Sequence, residues 1–500
     1  MTATRMIEAD ASAMENKQKE QPSAAKKVAR STAWAAVDSW SQQGIQIVTF
    51  VVIGNIIGPE VYGIMAIGFI YMVVANAFIR DGFGEAVIQL KNAEREHFEA
   101  AFWVVVGLGL LAAGFSWLLA PYFAAWFDEP QLAMVIGLLG LTVPVIGAAN
   151  LMQCKLRREM NFRALAFRSF VAYGGSAILA ITLALMDYGI WSLLAFQICM
   201  PTLDYLCLAI QDRWLPRPRF SVSHYRDIAG FSYKSMGSHI ITACGKQIDR
   251  TLVGLFLGAT ALGLYGMALR IFGGIQQTLM GVINNVALPA FSKVQDDTEE
   301  LCRALKNATH FASLTAFPAF AGLALVSDWL ISVLLKAEWQ ELGSILPILC
   351  LYGFTIPSGL FLTTAMRAVG RAGLVLNIAT LTICLRLALC GGAIGFGFGF
   401  YGIVVATTAV PIILLPFRLY LAKRIIGLRV VDYCKSMIPA AAATSFMAAC
   451  ILAAESLVSG QAPAIVVLVA LMVMGAASYV AALFLIARPS LNQIAAAVRR

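Results

Sequence analysis

The sequence predicts an all-α polytopic membrane protein of about 14 transmembrane helices, built as two pseudo-symmetric six-helix lobes and a C-terminal helix pair. Three observations predict it. First, fourteen apolar stretches of helix length run through 500 residues that are 59% hydrophobic and 13% charged, with a mean hydropathy of +0.77. An average soluble domain is roughly 25% charged. Second, positive residues occupy alternate connections. Of 37 Lys and Arg, Lys336 alone sits in one set of loops. Arg168, Lys246, Arg250, Arg270 and Arg386 lie within or at the edge of apolar stretches, and the others fall in the two tails and every second loop. This is the positive-inside pattern, with both termini cytoplasmic. Third, the chain repeats itself at an offset of 200 residues.

A helix needs about 20 apolar residues to cross the hydrocarbon core. In order, the spans are read at 32–56, 61–80, 98–120, 131–153, 164–186, 189–210 and 229–257. The second set follows at 260–289, 304–326, 343–366, 374–396, 400–422, 435–455 and 464–486. Only the glycine-rich stretch from Gly395 to Gly402 divides the eleventh from the twelfth, so counts of twelve or thirteen stay open. The outward connections are short (58–60, 187–188, 258–260, 397–399), the longest being 327–342. The inward ones, notably 155–163, 213–226 and 418–435, carry the charge. None is large enough to fold around its own core, which places any chemistry inside the membrane or at its faces.

Residues 1–31 are polar and of mixed charge, without the apolar core and cleavage site of a signal peptide, and read as a disordered cytoplasmic tail. The expected organisation is an N-lobe over 32–211, a cytoplasmic linker over 212–228, a C-lobe over 229–426, and the helix pair with a short cytoplasmic tail over 427–500. Ten cysteines are scattered, mostly inside spans, where they behave as small apolar residues; no disulfide, metal or cofactor is expected. The net charge of +9 belongs to the cytoplasmic loops. It points to anionic lipid head groups rather than to nucleic acid.

The repeat lays Gly54-Asn-Ile-Ile-Gly58-Pro-Glu-Val-Tyr-Gly63 over Gly254-Leu-Phe-Leu-Gly258-Ala-Thr-Ala-Leu-Gly263. Three glycines match, each time at the first outward turn of a half. With six spans per half, the second half starts on the same side as the first. That is a parallel repeat about an axis along the membrane normal, a plan found in transporters with two rocking lobes. Glycine's service in tight turns and close helix packing accounts for any single position.

A charge at the bilayer centre costs roughly 2.5–3.5 kcal/mol on insertion scales, so such residues face cavities or partners. Lys246, Asp249 and Arg250 share one helical face of the seventh span. One cation can pair with Asp249, leaving net positive charge, to which Arg270 and Arg386 add. The functional reading is a cationic cavity between lobes for an anionic head group, with Lys246, Arg250, Arg270 and Arg386 as binding residues, since Arg matches phosphate in a bidentate fork. The structural reading is a set of internal ion pairs, with Arg270 reaching Asp249 across its hairpin. Asp38, near the cytoplasmic end of the first span, and Asp249 are candidates for ion coupling or charge pairing. Arg168 reads as an interfacial anchor. Prolines inside spans, among them Pro144, Pro201, Pro318, Pro357 and Pro411, can bend helices.

Several segments carry a family resemblance. They are Gly54 to Gly63, Arg157-Arg-Glu-Met-Asn-Phe-Arg-Ala-Leu-Ala166, Tyr188-Gly-Ile-Trp-Ser-Leu193 and Trp214-Leu-Pro-Arg-Pro-Arg-Phe220. Asp249-Arg-Thr-Leu-Val-Gly-Leu-Phe-Leu-Gly258, Leu262-Gly-Leu-Tyr265 and Leu288-Pro-Ala-Phe-Ser292 follow. In this order they resemble the polysaccharide transporter (Wzx-type) flippases of the multidrug/oligosaccharidyl-lipid/polysaccharide superfamily. The nearest branch is the one exporting exopolysaccharide repeats such as colanic acid, amylovoran or succinoglycan. The resemblance implies a flippase of the bacterial inner membrane, not an enzyme. It would move undecaprenyl-diphosphate-linked oligosaccharide from the cytoplasmic to the periplasmic leaflet by alternating access. It would act as a monomer beside a polysaccharide polymerase and a chain-length regulator.

The residues fit that role. A pyrophosphate with several sugars cannot cross hydrocarbon unaided, and a hydrated, cation-lined cavity solves the problem. The chain has no GxxxxGK[ST] nucleotide loop. The rival readings are a multidrug exporter of the same superfamily, which excess positive charge disfavours for cationic drugs, and a peptidoglycan-precursor flippase. A membrane glycosyl-polymerase is disfavoured because the longest outward loop is short and carries none of the four His.

Overall fold

Apolar sequence in lipid leaves the backbone no partner but itself, which dictates helices. In the computed structural model of the chain, all the regular secondary structure among the described residues is helical. Its backbone is described over 2–486 except 78, 80, 81, 91, 92, 160, 213–215 and 458–462. Side chains are described from 34 onward, omitting also 35, 36, 212, 238, 280–286, 289 and 372. The expected short tail after 486 lies outside the described residues.

Helix α1 runs Thr2–Ala77 and is interrupted at Gly58, whose φ of 79° and ψ of 170° are non-helical. The backbone of 2–31 is therefore helical where the sequence reading expected disorder, in keeping with its strong helix formers Ala, Lys, Glu and Gln. A short α2 (Gly82–Gln89) leads to α3 (Arg95–Trp126). The fourth expected span is divided into α4 (Gln131–Gly140) and α5 (Val143–Arg158). Then come α6 (Phe162–Leu185) and α7 (Ile190–Asp212).

Helix α8 (Val222–Lys293) repeats the design of α1, with a single break at Gly258 (φ 83°, ψ 179°). It is followed by α9 (Thr298–Leu334), α10 (Leu342–Gly353) and α11 (Ile356–Ala368). Next are α12 (Ala372–Gly395), α13 (Gly399–Ile426), α14 (Val430–Lys435), α15 (Ile438–Leu457) and α16 (Ala464–Ile486).

Twelve helical segments among the described residues are long and apolar enough to cross a membrane, two fewer than the sequence reading. The difference lies in two segments of 53 and 58 residues, Val37–Gln89 and Val222–Leu279, each of which contains two expected spans joined at its glycine. At 1.5 Å per residue the shorter one would measure about 80 Å if straight. Glycine permits the positive φ that folds each back on itself. The doubtful division between the eleventh and twelfth spans is a real turn, with positive φ at Gly397 and Gly399.

A second echo between the halves went unread in the sequence. Thr142-Val-Pro144 and Thr355-Ile-Pro357 sit at matching breaks, after α4 and after α10. Each threonine hydroxyl donates to a carbonyl three residues back, Leu139 at 2.6 Å and Tyr352 at 2.8 Å. Each proline takes the first turn of the next helix, where its missing N–H costs nothing.

The two broken helices α1 and α8 pack on each other at the centre. A Cβ added to Gly63 would collide with the Ala259 carbonyl oxygen, and one added to Gly263 with that of Pro59. The contact is reciprocal, and at this turn end of the bundle it joins the halves backbone to backbone. The core residues Phe50, Tyr62, Tyr265 and Trp339 are buried around it. Helices α15 and α16 pack against α9 in separate small clusters. Tyr479 donates to the Leu314 carbonyl at 2.7 Å and Trp329 to Glu455 at 2.9 Å.

Candidate functional site

Near the middle of the bundle lies a cavity of 390 Å³ lined by α1, α5, α6, α7 and α8. Its polar lining includes Gln42, Gln46, Asn76, Asn150, Gln153 and Gln197. Four arginines reach it, Arg157, Arg168, Arg250 and Arg270, against one carboxylate, Asp204. Arg250 and Arg270 come from α8, the other residues from the first half of the chain.

Arg168 is buried and paired with the buried carboxylate of Asp204. It also donates to Ser169 at 2.8 Å, while Gln153 donates to Asp204 at 2.8 Å. Asp38 joins this network, accepting from Ser169 and from Gln42 at 2.9 Å, and stands 3.9 Å from Arg168. The reading of Arg168 as an interfacial anchor is thus corrected. It is one half of a buried pair whose other half, Asp204, went unremarked because a lone Asp late in an apolar span gives no periodic signal. Asp204→Ala leaves the buried guanidinium only the more distant Asp38, so an apparent loss approaching, but below, the roughly 3–5 kcal/mol of a fully stranded charge is expected. The double variant Arg168→Met/Asp204→Leu should recover most of it. Thermal unfolding of the detergent-purified proteins checks both.

Arg250 and Arg270 are different, with no carboxylate at ion-pair distance among the described residues. Arg250 donates to Gln247 at 3.2 Å, and its Nε is buried without a partner. The Arg270 guanidinium lies 3.4 Å from the Phe50 ring centre and 5.5 Å from that of Phe69. Such stacking holds a cation in place without neutralising it. The two arginines lie in each other's repulsive field.

The seventh-span triplet is split by its surroundings. Asp249 is buried, accepts from Tyr265 at 2.6 Å, and stands 3.9 Å from Arg386 of α12. The pairing of Arg270 with Asp249 is therefore replaced by one between Asp249 and Arg386. Lys246 is exposed and, like Arg386, does not line the cavity. The structure brings together Arg250 and Arg270 of the four expected binding residues, and leaves Lys246 and Arg386 apart from them.

At the end away from the glycine turns, the basic end where connections such as 155–163 and 213–226 lie, three of the four histidines bridge the region 82–99 to the region 217–239. His97 lies 3.4 Å from Asp227, His224 3.5 Å from Glu94, and His239 3.4 Å from Glu85, which also accepts from Ser235 at 2.7 Å. The rings of His97 and His224 meet edge to face at 4.5 Å, and Trp103 donates to the Arg217 carbonyl at 2.8 Å. Sequence reading used the histidines only to argue against an enzyme. At the turn end, burial pushes Glu129 above the usual carboxylate range, and the neighbouring charges of Glu60 and Asp128 push it further.

Comparison with known proteins adds to this geometry. A family model described as polysaccharide biosynthesis protein matches residues 52–344. The succinoglycan biosynthesis transport protein ExoT of Rhizobium meliloti (strain 1021) is 25% identical over 374 residues, 75% of each chain. The lipopolysaccharide biosynthesis protein WzxC of Escherichia coli (strain K12) is 23% identical over 388 residues, 75% of this chain and 78% of that one. Among solved structures, the lipid II flippase MurJ in an inward closed conformation superposes with a TM-score of 0.73 at 13% identity, covering 91% of this chain and 99% of MurJ. An inward-facing multidrug resistance MATE family transporter gives 0.61 at 13% identity, over 79% and 94%. The fold is the one these transporters share.

Proposed function

The chain belongs to the Wzx-like polysaccharide biosynthesis protein family, and on that premise we propose that it flips undecaprenyl-diphosphate-linked oligosaccharide across the bacterial inner membrane. It is a multi-pass membrane transporter of the multidrug/oligosaccharidyl-lipid/polysaccharide superfamily, not an enzyme. In this reading the lipid-linked unit passes from the cytoplasmic to the periplasmic leaflet, and both termini are cytoplasmic. The long segments broken at Gly58 and Gly258 each cross twice, which turns twelve segments into fourteen crossings. Residues 32–211 and 229–426 form two lobes related by a parallel repeat, 212–228 links them, and 427–500 contains the added pair. A polymerase and a chain-length regulator take up the product outside.

The observation that carries the proposal is the pair of arginines without carboxylate partners among the described residues, Arg250 and Arg270, presented by one half of the chain to a cavity walled by the other. Uncompensated guanidinium groups in a polar cavity await an anion, and the pyrophosphate of a lipid-linked sugar supplies one. The glutamine and asparagine side chains beside them suit sugar hydroxyls. The same cations disfavour the multidrug reading, since a cationic drug would be repelled. The likeness to MurJ and to the MATE transporters is one of fold and does not rank their substrates.

Alternating access requires the histidine–carboxylate contacts of the basic end to part in each cycle. In a background without the ten native cysteines, a bifunctional thiol crosslinker across Glu85→Cys and Ser235→Cys is expected to stop export. A cleavable linker should restore it on reduction. Continued export with the crosslink intact would show that this contact does not open.

The deciding experiment follows radiolabelled lipid-linked oligosaccharide in spheroplasts of a deletion strain, using a membrane-impermeant glycosidase. Accumulation of an intact, protected intermediate, reversed by the wild-type chain, is expected. Unchanged exposure of every lipid-linked sugar would overturn the proposal in favour of drug export.

A further inference from the structure

The second half of α1 separates two cavities of opposite character. Phe69, Met72, Val73 and Asn76 face the arginine cavity. Ile67, Ile70, Tyr71, Val74 and Ala75 face another, of 590 Å³. Helix α8 makes the same division between adjacent residues, with Arg250 in the first cavity and Thr251 in the second. Helix α3 supplies the remaining wall, including Leu111, Ala112 and Phe115. The second cavity is therefore a slot in the seam between the halves of the chain.

This seam is shut at both ends. At the turn end Gly63 meets the Ala259 carbonyl, and at the basic end a Cβ on Gly82 would lie 2.7 Å from the Ser232 carbonyl oxygen. Glu85 is tied to Ser235 just beyond. The opposite seam, between the first half of α1 and the second half of α8, is packed where it is described. Gly274 meets Ile47, Gly54 meets Met267, and Gln43 is hydrogen-bonded to Gln277.

The slot is almost wholly apolar, and the hydroxyl of Tyr71 is occupied by Ser116. Its lining on α3 extends from Leu108 to Trp126, about 27 Å along a helix and close to the roughly 30 Å of a hydrocarbon core, while α8 contributes Met236, Thr251 and Leu255. Leu111, Phe115 and Trp126 are 62%, 58% and 75% exposed, so the slot opens towards lipid.

We propose that this slot holds the polyprenyl chain of the substrate while the head group occupies the arginine cavity. The proposal rests on the reading that the substrate is lipid-linked. An amphiphile of that kind needs opposite surroundings for its two ends. Here they lie on either side of one helix, about 10 Å apart. The pyrophosphate at Arg250 sits one residue from the slot wall at Thr251. With the chain kept in apolar surroundings, the head group alone must be moved through a polar path.

The test uses the full-length protein in vesicles of phosphatidylethanolamine and phosphatidylglycerol, with a benzophenone side chain placed at Leu111, Leu255 or Gln46. The probe is radiolabelled undecaprenyl diphosphate bearing one hexose. Labelling from Leu111 and Leu255, displaced by unlabelled probe but not by added phospholipid, is the expected result. Filling the slot with Ala112→Trp should reduce that labelling and polymer export by about tenfold or more, while labelling from Gln46 persists and so reports a folded protein. Leu118→Trp, exposed on the same helix outside the slot, should leave both unchanged. Labelling from Gln46 alone, or equal displacement by phospholipid, would overturn the slot assignment and leave the flippase reading standing. Labelling from none of the three positions would overturn both.

Discussion

Arg250→Ala and Arg270→Ala are each expected to lower polymer export roughly ten- to hundredfold, with the protein still folded and inserted. A charge-assisted hydrogen bond is worth about 1.5–3 kcal/mol, and each arginine would lose at least one to a pyrophosphate oxygen. Neither change strands a buried acid, because neither guanidinium has a carboxylate at ion-pair distance among the described residues. Melting temperature should therefore move little. The lysine variants sharpen the test. Arg250→Lys keeps the charge but loses the fork, and an intermediate loss is expected. Arg270→Lys also loses the flat stack on Phe50, so it should fall below Arg250→Lys. Lys246→Ala, exposed and outside the cavity lining, should stay within about twofold of wild type. Complementation of a deletion strain, with export scaled to membrane protein, measures all five. Wild-type export from the Arg250→Ala/Arg270→Ala double variant would remove the cationic cavity from the mechanism.

Gly63→Leu is expected to abolish export by another route. There is no room for a Cβ between Gly63 and the Ala259 carbonyl, and backbone cannot rotate away as a flexible side chain can. Overpacking of about 1–3 kcal/mol would shift the equilibrium between closed and open turn ends by roughly ten- to hundredfold. The protein should rest with its turn end open. A cysteine at Gln46, in the cavity lining, should then react with an impermeant thiol reagent from outside. Gly263→Leu should behave alike, because its contact with Pro59 is the reciprocal one. Gly107→Leu, with open space around it, is the neutral control. Loss of export in all three would point to general damage rather than to the seam.

Much of the architecture was legible because lipid forces it. A run of about 20 apolar residues has one solution in a bilayer, so each expected span lies on an observed helix or helix pair, although several helices run well beyond it. The matched glycines announced the two breaks, since positive φ favours that residue. The partnering of charges was not legible. Lys246, Asp249 and Arg250 share a helical face, yet the neighbours that decide their fate, Tyr265 and Arg386, come from elsewhere in the chain. The same holds for Arg168 with Asp204, and for the three histidines with their carboxylates. Spacing along one helix reports which side chains point the same way. It says nothing of what stands opposite.

Each half turns at a glycine of nearly equal backbone geometry, Gly58 and Gly258, but the residue after each differs, Pro59 in one and Ala259 in the other. A pyrrolidine ring fixes φ near −65°, whereas alanine leaves it free to vary. In the alternating-access reading proposed above, the first turn is expected to act as the stiffer bracket and the second as the more compliant one. Local bending is therefore expected to be greater around Gly258 and Ala259 than around Gly58 and Pro59.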